Sequence, residues 1–180
     1  MGIPVFISDS SSDTTDLASI VFTSGISSSY DEYMFVFTDI NPVTDTADWT
    51  FQVNADGESG YNEIITSTSF SAHGYASGSG SSMNYQTAED QANGTALQVL
   101  GDNVGNGADE SLAGILNLYT PSDTTYVTHF ISRLVYHGSD DSAKDSNVAG
   151  YFNITGAITD VQFKFSTGNF DGLVQMFGIK

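Results

Sequence analysis

Residues 49–54 read WTFQVN, and residues 160–165 read DVQFKF. In the first, Trp49, Phe51 and Val53 fall on one side of an extended chain, with Thr50, Gln52 and Asn54 on the other. In the second, Val161, Phe163 and Phe165 oppose Asp160, Gln162 and Lys164. A period of two, with large apolar side chains on one side, describes a strand that buries one face and wets the other. Strands of this kind form antiparallel sheets packed face to face on a second sheet.

The same residue choice runs outward in both directions. Ser, Thr, Val, Ile, Tyr and Phe dominate, and Gly-, Ser- or Asp-rich breaks recur about every ten residues. Further strands are expected over 17–23, 33–40, 61–72, 96–100, 112–120, 125–137, 147–153 and 173–179, and the 160–165 strand extends over 157–166. Tyr33–Phe37 is apolar on both faces, as a central strand would be. Asn54-Ala-Asp-Gly57, Thr120-Pro-Ser-Asp123 and Thr167-Gly-Asn169 have turn chemistry. Ala88–Leu100 is the one place for a short helix, and Asn93-Gly94 interrupts it. Residues 77–82 (SGSGSS) read as a flexible loop. The expected fold is all-β: an antiparallel β-sandwich, jelly-roll-like, with a short extended N-terminal arm. The arm is residues 1–16, an apolar tip Ile3–Ile7 on a polar spacer (SDSSSDTTD), and residues 17–180 form a single sandwich domain.

The charge is lopsided. The chain of 180 residues has 22 acids, four Lys and Arg, and a formal charge of −18. The bases are Arg133, Lys144, Lys164 and Lys180, so 17 of the acids precede the first of them. A nucleic-acid binder needs a basic stripe to displace counterions, and four scattered bases do not make one. A peripheral membrane protein needs cations facing anionic lipid. Neither nucleic acid nor membrane is an expected partner. The first residues lack the cationic flank and apolar run of a secretory leader. No apolar run approaches the roughly 20 residues of a membrane span. There is no Cys, so the sequence offers no thiol chemistry. With 12% aromatic residues, the acidity belongs to a folded domain rather than a disordered tail.

Three constellations bear on chemistry. His129, Arg133 and His137 share a face of one strand. Residues four apart on a strand are separated by about 13 Å, too far to share a metal. A metal site there needs His73 or carboxylates from neighbouring strands. Otherwise the triplet is a polar face on which Arg133 pairs with nearby acids, and it is the one cationic patch available for a subunit contact. Carboxylates crowd the loops at Asp39, Asp45 and Asp48, at Asp140, Asp141 and Asp145, and within DNVGNGADE, residues 102–110. None matches a known Ca²⁺ loop spacing. Solvated loop acids are one reading of them, and Ca²⁺ or Mg²⁺ at the acidic loops is the other. No catalytic motif is present: no G-x-S-x-G, no H-E-x-x-H, no Walker loop and no G-x-G-x-x-G. The residues carry no enzymatic expectation and assign no catalytic residue.

Ile20–Asp56, Leu116–His137 and Val148–Lys180 carry a resemblance. The pieces are SSYDEYMF (residues 28–35), DINPVTD (39–45), AGYF (149–152) and STGNFDGLVQMFGI (166–179). Together these stretches resemble small β-rich structural proteins of marine tailed bacteriophages, including cyanophages. The motifs bear on fold and carry no catalytic residue. The resemblance implies a non-enzymatic protein on the virion surface, assembled in the host cytoplasm, with itself and other virion proteins as partners. Capsid decoration is the leading expectation, because the chain is one compact domain with one short arm and without heptads or fibrous repeats; the resemblance to phage proteins, not these residues, implies a homotrimer. The alternative is a tail-fibre or head-appendage module that contacts host surface glycans. Of Tyr30, Tyr33, Tyr61, Tyr75, Tyr85 and Tyr119, the glycan candidates are Tyr75 and Tyr85. Expected subunit contacts are Ile3, Val5, Phe6 and Ile7 on the arm, and His129, Arg133 and His137 on the strand.

Overall fold

The computed structural model describes residues 2–10, 14–78 and 80–180. Its described residues form thirteen strands and no helix. They are β1 (Val5–Asp9), β2 (Ile20–Phe22), β3 (Glu32–Pro42), β4 (Ala47–Ala55), β5 (Ile65–Tyr75), β6 (Ser81–Tyr85), β7 (Ala92–Gly94), β8 (Gln98–Val104), β9 (Leu112–Tyr119), β10 (Thr128–Gly138), β11 (Ser142–Phe152), β12 (Ile158–Phe165) and β13 (Phe170–Ile179).

All pairings are antiparallel. A small layer runs β2-β12-β4-β8, and a large layer runs β1-β13-β3-β9-β10-β11-β5, with β6 and β7 on the outer edge of β5. The two are joined through the single pair Gly138–Val104, where β10 meets β8. The chain alternates between layers: β2 small, β3 large, β4 small, β5 large, β8 small, the β9-β10-β11 meander large, β12 small, β13 large. That alternation wraps the sandwich in the jelly-roll manner.

β10 shows why the layers form. Phe130, Leu134 and Tyr136 point into the core with Thr128 and Ser132, and His129, Ile131, Arg133 and Val135 point out. Inward rings from both layers meet at Phe163, which lies within 5.1–6.4 Å, centroid to centroid, of Phe22, Phe35, Phe37, Trp49 and Phe51. Such pairs add about 0.5–1.5 kcal/mol each beyond the area they bury. Gly114, at φ 155° on β9, lies so close to β10 that a Cβ there would overlap the Arg133 carbonyl oxygen. Only glycine keeps those two strands paired at this point.

Four sequence expectations change in detail. β4 is buried on both faces: Thr50, Gln52 and Asn54 are no more than 5% exposed. The loops before β5 and β8 cover that face and supply its polar partners. Gln52 Nε2 donates to the Glu63 and Ala96 carbonyls, and Asn54 Oδ1 accepts the Tyr61 N–H. The short helix considered over 88–100 is absent; the segment is a turn, β7 and β8, with Asn93 at φ 55°. Residues 81–82 of the expected flexible loop belong to β6, and residue 79 lies outside the described residues. The N-terminal segment is extended, and it lies hydrogen-bonded along β13 of its own chain. Residues 11–13 of its spacer lie outside the described residues.

Candidate functional site

The outward face of the large layer is built from alternate residues of β5, β6, β9, β10 and β11. β10 presents His129, Ile131, Arg133, Val135 and His137, as their spacing predicts. Arg133 Nη2 and Nε donate to the two Asp145 carboxylate oxygens at 2.7 and 3.1 Å. That hydrogen bonding holds the Asp145 carboxyl below its usual range. The pair is exposed and adds little to folding. What it does is pair the two charges that these five strands direct outward; the same face continues onto β3 with Glu32, whose Oε1 accepts from Asn117 Nδ2 at 2.8 Å. Around them stand Phe70, Met83, Ile115, Ile131 and Val135, exposed by 38–71%. Asn147, Arg133 and Asp145 separate Phe70 and Met83 on one side from Ile115, Ile131 and Val135 on the other.

The arm belongs to the same face. Phe6, Phe177, Met34, Asn117, Ile131, Ala149 and Thr68 are successive cross-strand partners. Four strand spacings separate Phe6 from Ile131, roughly 19 Å. Phe6 meets Phe177 edge-on at 5.7 Å. Ile7 turns the other way and packs on the core. Ile3 and Val5 are exposed. The two groups of expected contact residues, distant in sequence, therefore lie on one layer.

Tyr75 and Tyr85 do not form one sugar platform. Tyr85 pairs with Phe70, five residues from Tyr75 along β5, so the two rings are roughly 17 Å apart and on opposite faces of the hairpin. Tyr75 packs edge-on to His73. The Tyr85 hydroxyl donates to Asp90, and that bond raises its pKa. The aromatic groove is elsewhere: Tyr119, His129 and Tyr151, with Thr66, Thr68 and Ile131, line a cavity of about 450 Å³.

Two titratable clusters sit at the end of the sandwich near the β10–β11 turn. In the first, His137 Nδ1 lies 3.0 Å from Glu110 Oε1. Glu110, His137 and Asp141 each bring a ligand-type atom within 4.8 Å of the others, and they are the group of that kind among the described residues. His73 is not part of it; its Nε2 lies 3.0 Å from the Ser82 hydroxyl. Of the crowded loop acids, Glu110 and Asp141 meet in that group, whereas Asp48, Asp140 and Asp145 have partners elsewhere. Asp48 accepts the Asn103 N–H, Asp140 accepts from Ser142, and Asp145 is held by Arg133.

The second cluster was not anticipated. Lys144 Nζ donates to Asp102 Oδ2 at 2.9 Å, and the Tyr136 hydroxyl donates to Asp102 Oδ1 at 2.7 Å. Burial opposes the Asp102 charge, but bonds from Tyr136, Asn103 and Lys144 outweigh it and lower the pKa. Burial, then the Asp102 charge, push the Tyr136 phenol up. Burial, then the charges of Asp102 and Asp48, push Glu89 up to about 7, with Lys144 opposing. Glu89, Asp102 and Lys144 lie in separate strands and loops without motif spacing, so only the folded chain reveals them.

No protein-family model matches the chain, and no curated protein matches it.

Proposed function

We propose that the chain is a non-enzymatic structural protein of a tailed-phage particle, a capsid-decoration subunit that self-associates through the outward face of its large layer. The observation that carries the self-association is the β5, β6, β9, β10 and β11 part of that face: exposed apolar side chains beside a closed Arg133–Asp145 pair, on a molecule of −18. An identical partner is itself acidic, so it is met best by a surface without net charge. A cationic partner would instead seek the acidic loops. The virion setting rests on the resemblance of residues 20–56, 116–137 and 148–180 to phage structural proteins.

Sedimentation of the purified chain tests the assembly. The wild type is expected to form a concentration-dependent oligomer, with a trimer as the stoichiometry implied by the resemblance. Ile131→Glu changes an exposed side chain, so it should fold and remain monomeric. An Ile131→Glu variant that associates as well as wild type refutes the face. Labelling of particles tests the setting: regular copies over the head support decoration, and copies at the tail tip overturn it.

A second reading has its own observation. The Tyr119, His129 and Tyr151 groove has the ring-lined, hydroxyl-rimmed character of a sugar site. A host-glycan-binding appendage or fibre module would lose glycan-array binding on Tyr151→Ala and retain it on Tyr75→Ala.

A further inference from the structure

We infer that Glu110, His137 and Asp141 form a binding site for a first-row divalent metal ion of the Zn²⁺ type, which ties the loop before β9 to the β10–β11 turn. The inference is independent of the virion reading. His137 is next to last in β10, Glu110 precedes β9, and Asp141 stands in the turn at φ 59°. Their ligand-type atoms lie within 4.8 Å of one another, and His137 Nδ1 is 3.0 Å from Glu110 Oε1. Two ligands at about 2.0–2.1 Å from one ion stand roughly 2.8–3.4 Å apart, from right-angled to tetrahedral arrangements. The His137–Glu110 separation fits that range, and the Asp141 ligand atom lies within 4.8 Å of both. The imidazole decides the class of metal: Ca²⁺ and Mg²⁺ prefer all-oxygen sites, whereas a His with two carboxylates suits Zn²⁺.

The Glu110 carboxylate is held in place. Its Oε2 accepts the Gly107 N–H at 2.6 Å, which leaves Oε1 turned to His137. Such an outer bond orients a ligand before the ion arrives. Gly105 and Gly107 also leave room for it. A Cβ on Gly105 would overlap Glu110 Oε2, and one on Gly107 would lie 2.9 Å from it. The glycines of DNVGNGADE thus make space for a side chain rather than for a phosphate. Glu110 also lines a pocket of about 540 Å³ whose other charged side chains are Asp39, Asp109 and Asp171. Acid walls without a base raise the local concentration of cations.

The test is Zn²⁺ titration of the EDTA-stripped chain by calorimetry, with the His ring resonances followed by NMR. One saturable ion per chain is expected, shifting the ring signals of His137 and leaving those of His73 and His129 in place. Asp141→Asn keeps a residue that tolerates positive φ, and His137→Gln keeps a polar side chain. Each should weaken binding by at least about ten- to a hundred-fold, the range lost even with an outer-shell partner. Gly105→Ala should do the same by displacing the Glu110 side chain, since that side chain is what its Cβ meets. Unchanged far-UV and near-UV circular dichroism certifies that the variants fold. Absence of saturable binding, equal binding by wild type and the three variants, or unmoved His137 signals overturns the site.

Discussion

Glu89 provides a sharp test of the electrostatics. Its carboxyl shifts from 4.5 to about 7 because burial and the neighbouring Asp102 and Asp48 disfavour its charge. The folded state therefore holds this proton more tightly than the unfolded chain does. The contribution to stability is whole below pH 4.5, falls as pH rises, and is gone above about pH 7. Taken at face value the shift is worth about 3.4 kcal/mol. Glu89 is only half-buried, and solvent screening reduces this to about 1–2 kcal/mol. Glu89→Gln keeps the shape and removes the ionisation. The backbone there is anchored independently, by Gln98 Nε2 donating to the Glu89 carbonyl at 2.8 Å. Thermal melts of both proteins from pH 5 to 8 should nearly coincide at pH 5. They should separate until the Gln variant melts about 3–6 °C higher at pH 8. Parallel curves across that range, or a variant less stable throughout, would refute the assignment.

Lys144→Met should cost about 3 kcal/mol at pH 7, because it leaves Asp102 partly buried without its cation. The loss should shrink in acid as Asp102 takes up a proton, and urea unfolding at pH 7 and pH 3.5 measures both. Phe163→Ala should cost about 3–5 kcal/mol in the same assay. Five rings from both layers close on that one side chain.

The strand pattern was legible where one side of a strand is wet. β10 and β12 alternate in sequence and in burial alike. β4 alternates in sequence but not in burial, because loops distant in sequence cover its polar side with their own carbonyls. β1, β6 and β7 are at most five residues long and lie at sheet edges, so they carry too few apolar positions to show a period. His129, Arg133 and His137 share a face for the simple reason that strand side chains alternate. Their neighbours Asp145, Phe70 and Glu110 required the cross-strand register, which no local pattern encodes. Glu110 meets His137 across 27 positions of sequence, and the sole local sign was the spacing of Gly105 and Gly107 around a carboxylate.

The closed Arg133–Asp145 pair also bears on how assembly through β9, β10 and β11 should respond to salt. Two carboxylates at 4 Å repel by about 1 kcal/mol even in water, and a few such pairs would offset much of a micromolar affinity, about 8 kcal/mol. A face whose ion pair is already closed within the chain avoids those contacts. The remaining opposition is the long-range repulsion between whole subunits of −18. That term is screened beyond a Debye length of about 30 Å at 0.01 M and only about 3 Å at 1 M salt. Apolar contact does not weaken over the same range. Association through this face should therefore strengthen from 0.05 to 0.6 M NaCl. Association driven by Arg133 reaching a partner's carboxylate would weaken instead. Sedimentation of the wild type at the two salt concentrations separates them, and weaker association at high salt would exclude the apolar face as the driving surface.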